Sequence, residues 1–231
     1  MKKNKIKMLV ILAMFSALAF ASLFVLHIGG IGGFLSFDIK DAIIMIASMA
    51  LGQFGPVLGI IISLTVSAIE AITISTTGFW GFLMNFLSTA IFVSVGSSIY
   101  LYVPKIRKTT FGAIIGLIMA VLTTTVAMVF MNLLITPIYT GMPVAKIAEM
   151  IIPLLLPFNF LKAMLNAAIV LLIYKPISRV LKRTITGQKQ DQFAFNRTTV
   201  IFMIVGFLIM IVAATLLIVA LGGNFQWIVK K

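Results

Sequence analysis

The sequence predicts an all-α, polytopic membrane protein: a bundle of apolar helices threaded through a bilayer. Three observations carry this reading. The 231 residues are 61% hydrophobic and only 10% charged, with a mean hydropathy of +1.20, far outside the range of soluble globular chains. Seven apolar segments follow one another along the chain. Lys and Arg gather in three clusters that alternate with connections poor in them, which is the positive-inside pattern of a multi-span protein.

The segments run Met8–Leu26, Asp38–Leu51, Val57–Ile74, Phe79–Tyr102, Phe111–Ile135, Leu154–Tyr174 and Thr199–Leu221. Most approach the roughly 20 residues needed to cross the hydrocarbon core. The second is short and spans only if its neighbours bury its ends. The basic clusters are Lys2, Lys3, Lys5 and Lys7; Lys105, Arg107 and Lys108; and Lys175, Arg179, Lys182, Arg183, Lys189 and Arg197. Placing them on the cytoplasmic side of a bacterial cell membrane puts the N-terminus inside. Loops 27–37, 74–78 and 136–153 then face outside, and loops 52–56, 103–110 and 175–198 face inside. Lys230 and Lys231, outside if the seventh segment spans, run against the rule. The basic start followed by an apolar run also resembles a cleavable signal peptide. The run continues to Leu26, which favours a retained helix.

Composition excludes several functions. The net charge of +13 reads as topology signal rather than as a nucleic-acid surface. The absence of Cys removes disulfides, thiolate metal sites and Cys nucleophiles, and a single His27 builds no His-based metal centre. No metal or cofactor is expected. There is no GxxxxGK[ST] motif for ATP hydrolysis, and no nucleophile or acid–base pair at motif spacing. The chain reads as a binder rather than an enzyme, without its own means of driving transport.

The costly polar residues fall at one end of the bundle. With helices alternating in direction, Asp38, Asp41, Glu70, Asn85, Asn132, Asn159 and Lys162 all land near the outer face. A charge inside a membrane helix costs about 2.5–3.5 kcal/mol on insertion scales, so such groups pair, line a cavity or bind a ligand. Asn159, Lys162 and Asn166 recur at i, i+3 and i+7, one stripe on the sixth segment. Each residue also has a structural reading. Asp38 and Asp41 suit a helix N-terminus, Glu70 can pair with Lys162 or Lys40, Lys162 can snorkel, and Asn85 and Asn132 can be interhelical glue. Their joint location favours a binding site. Loop 27–37 is Gly-rich yet apolar; Phe34, Leu35 and Phe37 suit a lid over a flat ligand. Ala13, Ala17 and Ala21 form a small-residue face on the first helix, suited to close helix approach.

Four stretches together carry a resemblance: Phe34-Leu-Ser-Phe-Asp-Ile-Lys-Asp41, Thr76-Thr-Gly-Phe-Trp-Gly-Phe-Leu-Met-Asn-Phe86, Met131-Asn-Leu-Leu-Ile-Thr-Pro-Ile-Tyr139 and Leu156-Pro-Phe-Asn-Phe-Leu-Lys162. The chain resembles the riboflavin-specific S-components of energy-coupling-factor (ECF) vitamin transporters. The resemblance implies a six-helix binding core over residues 1–185, with riboflavin as transported ligand. It implies as partners a transmembrane coupling protein and two cytoplasmic ATPases, which consume the ATP. It also implies flavin contacts from Asn132, Asn159 and Lys162, and less directly from Asp38 and Asn85. Phe34, Leu35 and Phe82 would bracket the ring, and Ala13, Ala17 and Ala21 would meet the coupling protein. FMN, FAD, another vitamin, or a scaffold without ligand are the alternatives. The departure from the family lies at residues 186–231: a polar linker (186–198), an additional apolar helix (199–222) and a tail (223–231).

Overall fold

The computed structural model describes residues 2–31, 33–75 and 77–186, with 204, 208 and 215 as isolated positions. Helix α1 (Lys2–Val25) leads into a hairpin of β1 (His27–Ile31) and β2 (Leu35–Asp38). Then follow α2 (Lys40–Ala50), a 3-10 turn (Gly52–Phe54), α3 (Gly55–Thr73), α4 (Gly78–Tyr102) and α5 (Thr110–Thr140). A short α6 (Val144–Glu149) and a π-helical turn (Ile151–Leu155) precede α7 (Leu156–Thr186). Six long helices, α1 to α5 and α7, form the core. Among the described residues, five stretches are long and apolar enough to cross a membrane: Ile6–Val25, Gly52–Thr73, Gly78–Tyr102, Thr110–Thr140 and Ile151–Tyr174. The expected linker, seventh span and tail lie outside the described residues, apart from those isolated positions.

The exception among the six is α2. Eleven residues rise about 16 Å, roughly half of the ~30 Å hydrocarbon core. Every residue of it except Ile43 is buried, because α1, α3, α4 and α7 surround it. Its sequence reads as a continuous apolar run after Lys40 and Asp41, as a helix apolar all round should. It is the axle of the bundle rather than a lipid-facing span.

Close approach around that axle depends on small residues. A Cβ on Gly116 of α5 would lie 2.6 Å from the Gly96 carbonyl oxygen of α4, and one on Gly59 of α3 would lie 2.4 Å from Val93. On α1, Ile11, Phe15, Ala19 and Leu23 turn inward, while Ala13, Ala17 and Ala21 are exposed on the opposite side. The small-residue stripe is therefore not used for packing within the described chain. At the end of the bundle remote from the hairpin, the Tyr100 and Tyr174 hydroxyls hydrogen-bond and their rings meet edge-on at 5.4 Å, joining α4 to α7.

Two regions differ from the sequence reading. Residues 27–38 form a hairpin instead of a loop, with register His27↔Asp38, Ile28↔Phe37 and Ile31↔Leu35. Asp38 is consequently the last residue of β2, not the first of the second helix. Part of 136–153 is also helical, because α5 continues through Pro137 to Thr140 and α6 follows. Proline removes only one N–H, and this close to the helix end the loss is small. Gly116→Val should lower the unfolding temperature in detergent, at a cost of about 1–3 kcal/mol from overpacking. Ile118→Ala, on the exposed face of α5, should not; a thermal melt of both variants checks this.

Candidate binding site at the polar end

Asp38 stands at the centre of the polar end. Its Oδ2 accepts from Lys40 Nζ at 3.2 Å and from Lys162 Nζ at 2.9 Å. Lys40 in turn meets Glu70 Oε2 at 2.9 Å, and Asn85 Nδ2 donates to Glu70 Oε1 at 2.9 Å. Asp41 accepts from Thr89 Oγ1 at 2.6 Å. The chain of contacts thus runs from α7 through β2 and α2 to α3 and α4. Asp38, Lys40, Asp41, Glu70 and Lys162 are all buried. Removing one partner of such a buried pair costs about 3–5 kcal/mol, because the survivor is left uncompensated.

Asn166 fixes the geometry of this cluster. Its Nδ2 donates to the Asp38 carbonyl at 3.0 Å, and its Oδ1 accepts from the Ala42 backbone N–H at 2.9 Å. Helix α2 has no side-chain cap from its own flank. An orphan N–H of its first turn is instead satisfied from α7, distant in sequence. Lys162, one turn before Asn166, also donates to the Ser36 carbonyl at 3.1 Å. One face of α7 therefore holds both the hairpin and the start of α2.

Asn132 and Asn159 are buried but lie outside the ionic chain. Asn132 Nδ2 donates to the Met128 carbonyl at 2.7 Å, and its Oδ1 accepts from Thr136 at 2.9 Å. Asn159 Nδ2 donates to the Leu155 carbonyl at 2.7 Å. Both carboxamides are thus parked on their own helices, where rotation would free them for a ligand. Asn159 lies in the first turn of α7, four residues past the π-helical turn, a feature often found at functional sites. On the hairpin, Leu35 and Phe37 are buried against Ile147, Leu155, Phe158 and Leu161, and Phe34 meets Tyr139 edge-on at 6.3 Å. Phe82 belongs to a different group, stacked on Phe86 at 6.1 Å and tilted against Phe79 on α4. Asn85 is occupied by Glu70.

Sequence reasoning did not count Lys40, Thr89, Asn166 or His27 among the binding residues. Lys40 carried a signal, since it stands between Asp38 and Asp41; Asn166 was on the α7 stripe. His27 is buried beside Asp38, and burial together with Lys162 and Lys40 lowers its pKa against the raising influence of Asp38. Polar atoms of His27, Asp38 and Glu70 lie within 4.8 Å of one another. The ammoniums of Lys40 and Lys162 already occupy those carboxylates, so a metal ion would have to displace them.

Lys40→Met should destabilise the protein by about 3–5 kcal/mol, more than Lys146→Met on the exposed surface of α6. Chemical or thermal unfolding followed by circular dichroism would show the difference.

Comparison with known proteins places this geometry in a family. The family described as "ECF transporter, substrate-specific component" matches residues 7–174. The riboflavin transporter RibU of Staphylococcus aureus (strain TCH60) is 30% identical over 191 residues, covering 79% of this chain and 95% of that protein. A solved structure described as "Structure and mechanism of the S component of a bacterial ECF transporter" superimposes with a TM-score of 0.63 at 28% identity. It covers 78% of this chain and 99% of its own. The family match spans most of the sequence and the fold agrees over the same core, so the chain belongs to the substrate-specific components of ECF transporters.

Proposed function

We propose that this chain captures riboflavin at its polar end and delivers it across the cell membrane with ATP-hydrolysing partner subunits. The observation that carries the reading is the placement of Lys162 and Asn159 on the α7 face beneath the hairpin, in a chain similar to a riboflavin transporter over most of its length. Riboflavin has a flat ring, a uracil-like edge and a polar ribityl chain. It suits an apolar slot with a few placed donors and acceptors. Lys162 offers donors, and Asn132 and Asn159 offer both kinds of group. Phe34 and Leu35 bring apolar surface from the hairpin, and Phe82 brings it from α4. Asp38 and Asn85 act on the site through Lys162 and Glu70.

The charge balance favours an uncharged flavin. Three buried carboxylates, Asp38, Asp41 and Glu70, face two ammoniums, Lys40 and Lys162. The carboxylates outnumber the ammoniums, so the cluster has no surplus positive charge to balance the phosphate of FMN or FAD. The polar end faces outside and the N-terminus lies in the cytoplasm, as the Lys and Arg distribution supports. Residues 1–185 form the binding unit. The outward Ala13, Ala17 and Ala21 face of α1 docks on the transmembrane coupling protein, which two cytoplasmic ATPases drive. The ligand is moved without being altered: among the described residues at the polar end, none is arranged as a nucleophile.

Protein purified from cells supplied with riboflavin should carry near-stoichiometric flavin by absorbance and mass spectrometry, and should quench added riboflavin. Lys162→Ala and Asn132→Ala should each weaken binding at least about tenfold, one hydrogen bond to a charged or buried group, while remaining folded. A folded, colourless protein that leaves flavin fluorescence unchanged would rule the reading out. Ala17→Leu should keep riboflavin and lose co-purification with the coupling protein.

A further inference from the structure

The hairpin holds a buried pair of polar atoms that the binding scheme leaves unused. His27 and Asp38 are register partners across β1 and β2. His27 is 9% exposed and Asp38 0%. Asp38 Oδ2 serves two ammoniums, yet Asp38 Oδ1 and His27 Nδ1 are both buried without a hydrogen-bond partner. An unmade hydrogen bond on a buried polar atom is costly, and these two atoms, on register partners within one cluster, call for a partner.

The surroundings indicate what that is. The charged groups around His27 are Asp38 on β2, Lys40 on α2, Glu70 on α3 and Lys162 on α7. Asp41, further along α2, is engaged by Thr89. Asp38 and Glu70 balance Lys40 and Lys162; Asp41, when ionised, adds one negative charge that a protonated His27 would offset. A metal ion would have to displace the ammoniums that hold these carboxylates, whereas a proton would not.

We propose that His27 and the free oxygen of Asp38 form a proton-binding site coupled to ligand capture. The coupling rests on the reading of Lys162 as a ligand contact. In this structure Lys162 is bound to Asp38 and to Ser36. A ligand acceptor that draws Lys162 away leaves the fully buried Asp38 one cation short. The imidazole then takes one proton from water, and its Nδ1–H donates to Asp38 Oδ1. Ligand-free, burial and the two lysines hold the His27 pKa down. Withdrawing Lys162 removes one of those influences and leaves the attraction of Asp38.

The linkage has a definite sign. The bound state has the higher pKa, so binding takes up a proton and affinity rises as pH falls from the bound midpoint to the free midpoint. One proton changes Kd by at most about tenfold per pH unit.

The chain has one histidine, so a histidine-labelled sample gives a single imidazole signal by NMR. Its titration should be recorded in detergent with and without riboflavin, with flavin quenching read in the same tube. The proposal expects the midpoint to rise by about half a pH unit or more on binding, the effect of moving one nearby charge. Quenching with an unmoved midpoint would overturn it. A second arm needs no ligand: Lys162→Gln should raise the His27 midpoint in the ligand-free protein, and an unchanged midpoint there overturns the site. Absence of quenching, by contrast, counts against the flavin reading, and the Lys162→Gln arm still decides the proton site.

Discussion

The carboxylate of Asp38 is the contact on which the polar end depends. A charge with no exposed surface persists only when it is compensated, and Asp38 is compensated from two directions at once. Lys40 connects it to Glu70 on α3, and Lys162 connects it to α7. The backbone carbonyl of the same residue is held by Asn166, which also caps α2. One residue at the end of a hairpin therefore sets the height of α2 in the bundle, the position of the strands above α7 and the orientation of the Lys162 ammonium. A buried ionic chain contributes little net stability compared with apolar packing of the same volume. What it contributes here is a single register for elements that apolar contacts alone would let slide.

The remainder of the bundle is built differently. Around α2 the helices meet through Ala, Gly and aliphatic side chains, and α4 approaches α5 through Gly96 and Gly116. The far end is closed by the Tyr100–Tyr174 pair, with no buried charge among the described residues there. Among the described residues, no buried charge lies along the body beneath the polar end, so a ligand held at that end has no charged path through it. This is the physical reason for assigning delivery to motion driven by partner subunits. The outward Ala13, Ala17 and Ala21 face would supply the close-packing surface such a partner needs.

Much of this was legible in the sequence because membrane helices announce themselves through hydropathy. The boundaries of α3 and α4 fall within a few residues of the expected ones, and the α7 stripe of Asn159, Lys162 and Asn166 is buried as a unit. The hairpin was not legible, because Gly29, Gly30, Gly32 and Gly33 read locally as a loop and strand pairing is decided by the partner strand. Lys40 was legible in part: its pairing with Glu70 is one of the readings the sequence offers, but only the folded chain brings Asp38 and Glu70 to the same ammonium. Asn132 and Asn159 show a limit of another kind. A carboxamide bonded to its own helix and one poised for a ligand are the same residue in sequence.

The central claim is that the ligand is held where Lys162 meets the hairpin. A structure determined with riboflavin bound tests it most directly. The account predicts flavin between the hairpin and α7, within hydrogen-bond distance of Lys162 and Asn159, with the Lys162–Asp38 contact lengthened and the Asn132 carboxamide turned off the Met128 carbonyl. Flavin bound elsewhere, with the Asp38–Lys162 pair and both carboxamides unchanged, would contradict it.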